Sequence, residues 1–167
     1  MYIPFESLPG HARIWVYQAT RKMSDSETEK VRRTQLAFCD QWEAHGQPLK
    51  TSFKIEYNQF LVVSVDEGFN NASGCSIDGS VRILKGFLTD VGINFLDPSQ
   101  IAFLMNDELH LFSRTELKSL FESGKIKTTT FTFNNLVVTK SDFEINWKIP
   151  VAKSWLVKYL PKPALSI

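Results

Sequence analysis

The chain has few of the residues that metal and disulfide sites require. Of its 167 residues, only two are cysteines (Cys39 and Cys75) and three are histidines (His11, His45 and His110). Two cysteines without a paired spacing are too few for a disulfide framework or a zinc ligand set. The histidines lie far apart in the sequence, each without a neighbouring ligand. The sequence therefore predicts no metal site, and we expect no cofactor.

An excess of charge of one sign is also lacking. The chain has 19 basic and 18 acidic residues spread along its length, and its formal net charge is +1. Binding to nucleic acid needs a basic stripe or patch, and none is visible. The longest apolar run, residues 60–63, is far too short to span a bilayer. The first residues also lack the basic and apolar regions of a signal peptide. We expect a soluble, cytoplasmic protein that binds neither nucleic acid nor membrane.

Aromatic residues, by contrast, are abundant. They make up 13% of the chain and include thirteen phenylalanines. Large rings bury much apolar area per residue. A chain of this length removes roughly 70% of its unfolded surface from water, so it needs no disulfide or metal for stability. The length suits one domain, or two small ones that share a core.

The first half of the chain has the element order of a ferredoxin-like domain. Residues 13–19 predict a strand, and Ser24 with Glu27 predicts a helix that begins with a capping box and closes at His45-Gly46. Residues 52–57 and 60–66 predict a hairpin, and residues 75–91 predict a second helix ended by Gly92. This β-α-β-β-α order predicts a ferredoxin-like part over residues 1–98.

The second half, residues 99–167, reads as a smaller hairpin, helix and strand part. Asp97-Pro98 marks the boundary, and we expect the two parts to pack as one compact α+β unit. Whether the strand at 101–105 joins the first sheet is left open by the sequence. The predicted elements are a hairpin over 101–105 and 109–112, a short helix capped by Ser113 and Glu116, β-prone segments at 128–133 and 136–139, and a last helix from near Pro150 that carries Val151, Trp155, Leu156, Tyr159 and Leu160.

Residues 70–80 form the segment with the clearest functional interest. An apolar strand ending in Asp66-Glu67 and the following glycine-bearing loop look like parts of a nucleotide site. A phosphate loop, however, has four residues between its glycines, then Lys and Ser or Thr. Here five residues separate Gly68 from Gly74, and Cys75 stands where the lysine would reach the phosphates. We therefore predict that the chain is not an ATPase.

Cys75 is the candidate catalytic residue, because the start of a helix lowers the pKa of a thiol. Three roles remain open for it: a small side chain that fills a gap under the loop, a catalytic or redox thiolate, and part of an anion site at the helix start. A catalytic cysteine would need a base brought by folding. The candidate binding residues are Asn70, Asn71, Ser73, Gly74, Cys75, Ser76, Asp78 and Arg82.

The second helix predicts two packed sides. Its apolar residues (Ile77, Val81, Leu84, Leu88 and Val91) cluster on one side of a helical wheel, and Cys75, Gly79, Arg82 and Gly86 cluster nearly opposite. Each interior glycine costs about 1 kcal/mol relative to alanine, which favours a close contact there. We hypothesise that the C-terminal segment or another subunit covers this glycine face.

Two family resemblances accompany these features. The first is carried by four segments: His45-Gly46-Gln47-Pro48-Leu49-Lys50, Tyr57-Asn58-Gln59-Phe60, Ser73-Gly74-Cys75-Ser76-Ile77-Asp78 and Phe133-Asn134-Asn135-Leu136-Val137. With these segments, nearly the whole chain resembles a family of small bacterial proteins of unknown function that is often labelled "ABC transporter ATPase". The second is carried by Glu116-Leu117-Lys118, Ser123-Gly124-Lys125-Ile126, Trp147 and Pro150. With these residues, the second half is similar to bacterial GYF-like adaptor modules, which bind partner proteins through an exposed aromatic groove.

These observations together predict a non-catalytic cytoplasmic binding or regulatory domain that acts through protein–protein contacts. Its partner would be a second copy of the chain or a different protein. The alternative is an enzyme or redox protein that uses Cys75 at the start of a helix.

Overall fold

The computed structural model of the chain describes residues 1–162. Contacts divide the chain into two units, which we call the first unit (Met1–Asp97 and Asn135–Asn146) and the second unit (Pro98–Asn134 and residues 147–162). In chain order the elements are β1 (Arg13–Gln18), α1 (Asp25–Gln41), β2 (Glu43–Ala44), β3 (Gln47–Pro48), β4 (Thr51–Glu56), β5 (Phe60–Val65), α2 (Gly74–Val91), β6 (Gln100–Met105), β7 (Glu108–Ser113), α3 (Leu117–Glu122), β8 (Phe131–Phe133), α4 (Lys140–Asn146) and β9 (Lys148–Pro150). Helices and antiparallel sheets are both present, which confirms the predicted α+β class.

Strand β5 is the centre of the sheet in the first unit. It pairs antiparallel with β1 on one side and with β4 on the other, which gives the order β1-β5-β4. All six residues of β5 are buried, which explains why its sequence is an apolar run and not an alternation. Because α1 connects β1 to β4, these elements form a split β-α-β arrangement.

Short segments lie along both edges of this sheet. Tyr2 forms a parallel bridge with Thr51 of β4, and Thr139 forms an antiparallel bridge with Arg13 of β1. A full ferredoxin-like sheet has a fourth strand, whereas beside β1 the described residues form only this isolated bridge. The first unit therefore contains a three-stranded sheet, and its described residues do not form the full ferredoxin-like pattern.

Helix α1 begins as the sequence predicts and ends earlier. Ser24 Oγ accepts a hydrogen bond from Glu27 N at 3.1 Å, and Glu27 Oε2 accepts one from Ser24 N at 2.9 Å, which confirms the capping box. The helix ends at Gln41. The prediction that His45-Gly46 closes it is wrong, because these residues have φ values of +52° and +71° and form the turn between β2 and β3.

Helix α2 is confirmed, but the prediction of its buried face is shifted. Ser73 caps its start, and Gly92 ends it in the left-handed region at φ 75°. Leu84 is buried as predicted, whereas Leu88 is 51% exposed. Because the sheet and α1 meet a neighbouring face of the helix, the buried positions are Ser76, Ser80, Leu84 and Phe87.

The second unit has a separate four-stranded sheet with the order β7-β6-β8-β9. The predicted hairpin is confirmed as β6 and β7, joined by the two-residue turn Asn106-Asp107. Helix α3 follows a 3₁₀ turn (Arg114–Glu116), at whose start Ser113 and Glu116 form the predicted capping box. The core residues of this unit are Phe103, Leu117, Leu120, Phe121, Ile126, Val151 and Leu156.

The predicted C-terminal helix is wrong. The segment begins with strand β9 and continues as two 3₁₀ turns, Val151–Lys153 and Trp155–Tyr159. Pro150 (ψ 149°) and Ser154 (φ −107°, ψ 171°) have extended backbone, which interrupts any continuous helix at two points.

Residues Asn135–Asn146 belong to the first unit, although the sequence suggested a single boundary near residue 98. They contain helix α4, which the sequence did not predict; it indicated only the preceding residues 136–139, as a β-prone segment. Lys140 explains why the segment packs there: its Nζ is buried and donates to Leu8 O at 2.8 Å and to Glu6 O at 3.2 Å.

Candidate functional site

The segment that the sequence singles out is a surface loop followed by the start of α2. Asn70 Nδ2 donates a hydrogen bond to Pro48 O at 2.9 Å. Ser73 Oγ accepts from Ser76 N at 3.2 Å, and Ser76 Oγ accepts from Ser73 N at 2.8 Å, so the two serines cap α2. Three of the candidate binding residues therefore have structural roles that the chain itself satisfies.

The remaining candidates lie on the surface. Cys75, Asp78 and Arg82 line a shallow depression of about 400 Å³ together with Val81 and Lys85. The thiol of Cys75 is exposed, so the prediction that it fills a gap under the loop is wrong. Asn71 and Gly74 are also exposed.

The glycine face of α2 is not covered within the first unit. A Cβ added at Gly79 would meet Arg82 Nη2 at 3.8 Å, and one added at Gly86 would meet Asp90 Oδ2 at 3.9 Å. Both neighbours belong to α2 itself, and these distances are ordinary van der Waals contacts. The tight contact expected at this face is therefore not formed by another element of this unit.

The two acids that follow β5 are held by basic groups of the same chain. Asp66, which is 7% exposed, lies 3.4 Å from His11 Nε2 and 3.7 Å from Lys50 Nζ. Glu67 lies 3.2 Å from Arg13 Nη1. The sequence did not predict this cluster, because its bases precede Asp66 by 16 or more positions and converge only through the sheet.

Within residues 1–162, His, Cys, Asp and Glu side chains nowhere form a group of three or more that could hold a metal ion. Of the described helices, none combines the length and apolar character needed to cross a membrane.

Burial raises the pKa of Cys39, the other thiol, to about 11, so this group remains protonated.

A second surface, in the second unit, has a better-defined geometry. We call Trp155, Arg114, Lys158 and Tyr159 the Trp155 surface. The indole of Trp155 is 44% exposed. Arg114 Cζ and Lys158 Nζ each lie 5.2 Å from the centre of this ring, and the ring of Tyr159 meets it edge-on at 6.1 Å. Each cation is close enough to the indole for a cation–π interaction.

The backbone and the core fix this surface. Ser154 Oγ accepts a hydrogen bond from Leu156 N at 3.1 Å, which caps the 3₁₀ turn. Leu156 is fully buried, so the preceding Trp155 is directed outward. Tyr159 stacks on the buried ring of Phe121 at 6.2 Å and 9°. The aromatic rings are therefore held in place before any partner binds.

The second unit carries an excess of positive charge. Residues 98–134 and 147–162 contain eight basic and four acidic residues, whereas the rest of the described chain contains 11 basic and 14 acidic residues. Neither Arg114 nor Lys158 forms an ion pair with any residue among 1–162. Glu116, whose pKa is lowered by the hydrogen bond from Ser113 N, is occupied as a helix cap.

The sequence interpretation missed this surface because it placed Trp155 on a helix beside Val151 and Leu156. Two signals were present. Ser154 is a turn former directly before the tryptophan, and residues 147–162 contain four lysines and no acid.

Comparison with known proteins provides no relative from which a function could be transferred. The chain is matched by no protein-family model, by no curated protein and by no solved structure. Its class therefore follows from the structure alone: an α+β protein of two units with an exposed aromatic and cationic surface.

Proposed function

We propose that this protein is a non-catalytic binding domain that recognises a partner protein through the Trp155 surface. The observation that carries this proposal is the exposed Trp155 beside two cations that form no ion pair with an acid among the described residues.

Physical arguments connect this geometry with binding. Tryptophan, tyrosine and arginine are the residues that most often dominate the energy of protein interfaces. A ring that is already held by packing loses little conformational freedom on binding, which lowers the cost of association. An acidic group of the partner would also gain a charge pair with Arg114 or Lys158, and its electrostatic attraction would speed association.

The resemblance of the second half to GYF-like modules agrees with a binding role, since those modules bind partner proteins through an exposed aromatic groove. The residues that carry this resemblance end at Pro150 and include none of the Trp155 surface. From the two family resemblances, together with the sequence pattern, we propose a bacterial, cytoplasmic protein.

The proposal is tested by affinity capture with the wild-type chain, Trp155→Ala and Phe69→Ala as baits in a bacterial lysate. Phe69 is the matched control, because it is an exposed ring (53%) in the first unit. We expect at least one protein that is retained by the wild type and by Phe69→Ala and lost with Trp155→Ala. That protein is then purified and its affinity for each bait is measured.

Circular dichroism melting of the three baits shows that each is folded before capture. If the three folded baits retain the same proteins in the same amounts, the Trp155 surface is not the binding site.

The second candidate function is an enzyme or redox protein that uses Cys75, and it is supported by the exposure of this thiol at the start of α2. The test is the alkylation rate of Cys75 as a function of pH in a Cys39→Ala background. A rate that rises with a midpoint well below the ordinary thiol value of about 8.5 would favour this function. A midpoint at the ordinary value would remove the redox candidate.

A further inference from the structure

Strand β7 ends the sheet of the second unit and has no strand on its outer side in the described chain. The other edge strand, β9, has only three residues and ends in Pro150, which has no N–H to donate. An open edge presents unpaired backbone groups to another strand. The sequence pattern of β7 therefore decides what can pair with it.

The hairpin turn fixes which residues of β7 point outward. Asn106 and Asp107 both have positive φ and form a two-residue turn closed by the pair Met105 and Glu108. In an antiparallel ladder the hydrogen-bonded pairs alternate. The backbone N–H and C=O groups of Glu108 bond to β6. The same groups of Leu109 and Leu111 therefore point away from β6, toward the open edge.

One outward group of β7 is already used. Ser113 N donates to Glu116 Oε2 at 2.8 Å in the cap of the next turn. The open part of the edge is therefore centred between Leu109 and Leu111. Two such edges, related by a two-fold axis at His110, place Leu109 of one chain opposite Leu111 of the other with reciprocal backbone hydrogen bonds.

The charges at the two ends of β7 fit this register. Glu108 is directly opposite Phe112 of the second copy when Leu109 is opposite Leu111, and such pairs have Cβ atoms about 4.5–5.5 Å apart. In this chain Lys125 Nζ lies 5.1 Å above the ring of Phe112. Within residues 1–162, Lys125 forms no ion pair, and the 81% exposed side chain of Glu108 has only a 4.0 Å contact with His110. The exposed acid at one end of the strand therefore meets, at the other end, a lysine whose charge also acts on Glu116 but which forms no ion pair within residues 1–162.

We propose that two copies of this chain associate through antiparallel pairing of their β7 edges, with Glu108 of each copy facing Lys125 of the other. This contact is distinct from the Trp155 surface and does not depend on the proposed function. A single strand pair buries less area than a standard stable interface of roughly 1,600 Å², so the dimer is weak and depends on concentration.

The β7 edge suits a second copy of the chain better than a nucleic acid. Nucleic-acid binding draws its affinity from several Lys or Arg contacts with phosphates, whereas the β7 edge has one neighbouring lysine, Lys125, and an acid at its far end. An acid at one end of β7 and a lysine beside its other end instead match an antiparallel second copy of the same edge.

The proposal is tested by sedimentation velocity over a concentration series with Glu108→Lys, Lys125→Glu and their equimolar mixture. Each single variant places like charges opposite each other at both ends of the dimer. We expect dissociation constants about tenfold or more above that of the wild type for each variant alone, because two ion pairs become repulsive. In the mixture both pairs are attractive again, so association should return to near the wild-type value. Recovery on mixing cannot come from a folding defect.

Lys127→Glu is the matched control, because it makes the same charge change at an exposed lysine two residues from Lys125. It should associate like the wild type, and so should Trp155→Ala, which tests the other surface. Leu111→Pro removes an outward N–H at an edge position that tolerates proline and should weaken the dimer. A wild-type chain that stays monomeric at all concentrations, single variants that associate as the wild type does, or a mixture without recovery would each overturn the proposal.

Discussion

The two units differ in how they treat the edges of their sheets. In the first unit, segments around Tyr2 and Thr139 lie along β4 and β1, and the acids after β5 lie beside Lys50 and Arg13. In the second unit, β7 lacks such a cover, and the cations around Trp155 have no acidic partner among the described residues. A covered edge has its backbone hydrogen bonds formed within the chain, and a paired charge has its partner there. An open edge or an unpaired charge leaves these groups available to another molecule. This contrast is the reason both proposals concern the second unit.

The largest expected effect concerns the core of the first unit. Phe87 is 2% exposed and meets the ring of Phe95 at 5.8 Å, whereas the next residue, Leu88, is 51% exposed. Phe87→Ala should lower the free energy of unfolding by about 3–5 kcal/mol, because it leaves a cavity in the core. Leu88→Ala should change it by less than about 0.5 kcal/mol. Urea unfolding measures both, and equal effects would show that the buried face of α2 is assigned incorrectly.

Tryptophans in the two units should respond differently to the same substitution. Trp42 is 4% exposed, and its Nε1 donates to Ser76 O at 2.8 Å. Trp42→Phe should therefore cost about 1–3 kcal/mol through the lost buried hydrogen bond and packing. Trp155→Phe should cost less than about 0.5 kcal/mol, because Trp155 is 44% exposed and phenylalanine keeps an aromatic ring at this position. If Trp155→Phe is as costly as Trp42→Phe, Trp155 is part of the core and not a binding residue.

The smallest expected effect is the pH dependence of the stability that the capping carboxylates, Glu27 and Glu116, contribute in the two units. Hydrogen bonds from Arg21 and from Ser24 N lower the pKa of Glu27 from 4.5 to about 2. Because the folded pKa is the lower one, Glu27 stabilises the fold above about pH 4.5, and this contribution is lost as the pH falls toward 2. Glu116 has a lowered pKa with Ser113 as its main cause, so the same direction is expected there.

Unfolding curves of Glu27→Gln, Glu116→Gln and the wild type at several pH values measure these contributions. Both variants should be less stable than the wild type at neutral pH, and Glu27→Gln should approach it near pH 2. A difference for Glu27→Gln that persists unchanged at pH 2 would contradict the assignment of the stabilisation to the charged carboxylate.

Local sequence determined the elements whose ends and turns depend on neighbouring residues. Ser24 with Glu27 and Ser113 with Glu116 form capping boxes where the sequence predicts them, and Asn106-Asp107 forms the predicted turn. These features could be predicted because their hydrogen bonds join residues three or fewer positions apart.

Only the tertiary structure decided which surfaces stay exposed. Leu88 and Trp155 were predicted as members of apolar helical stripes, yet both are exposed, and Lys140 is buried although lysine is usually a surface residue. The burial of a side chain depends on partners that are distant in the sequence, as Lys140 and Leu8 illustrate. The sequence by itself therefore determined the α+β class and many local elements, while the exposed Trp155 and the open edge of β7 followed only from packing.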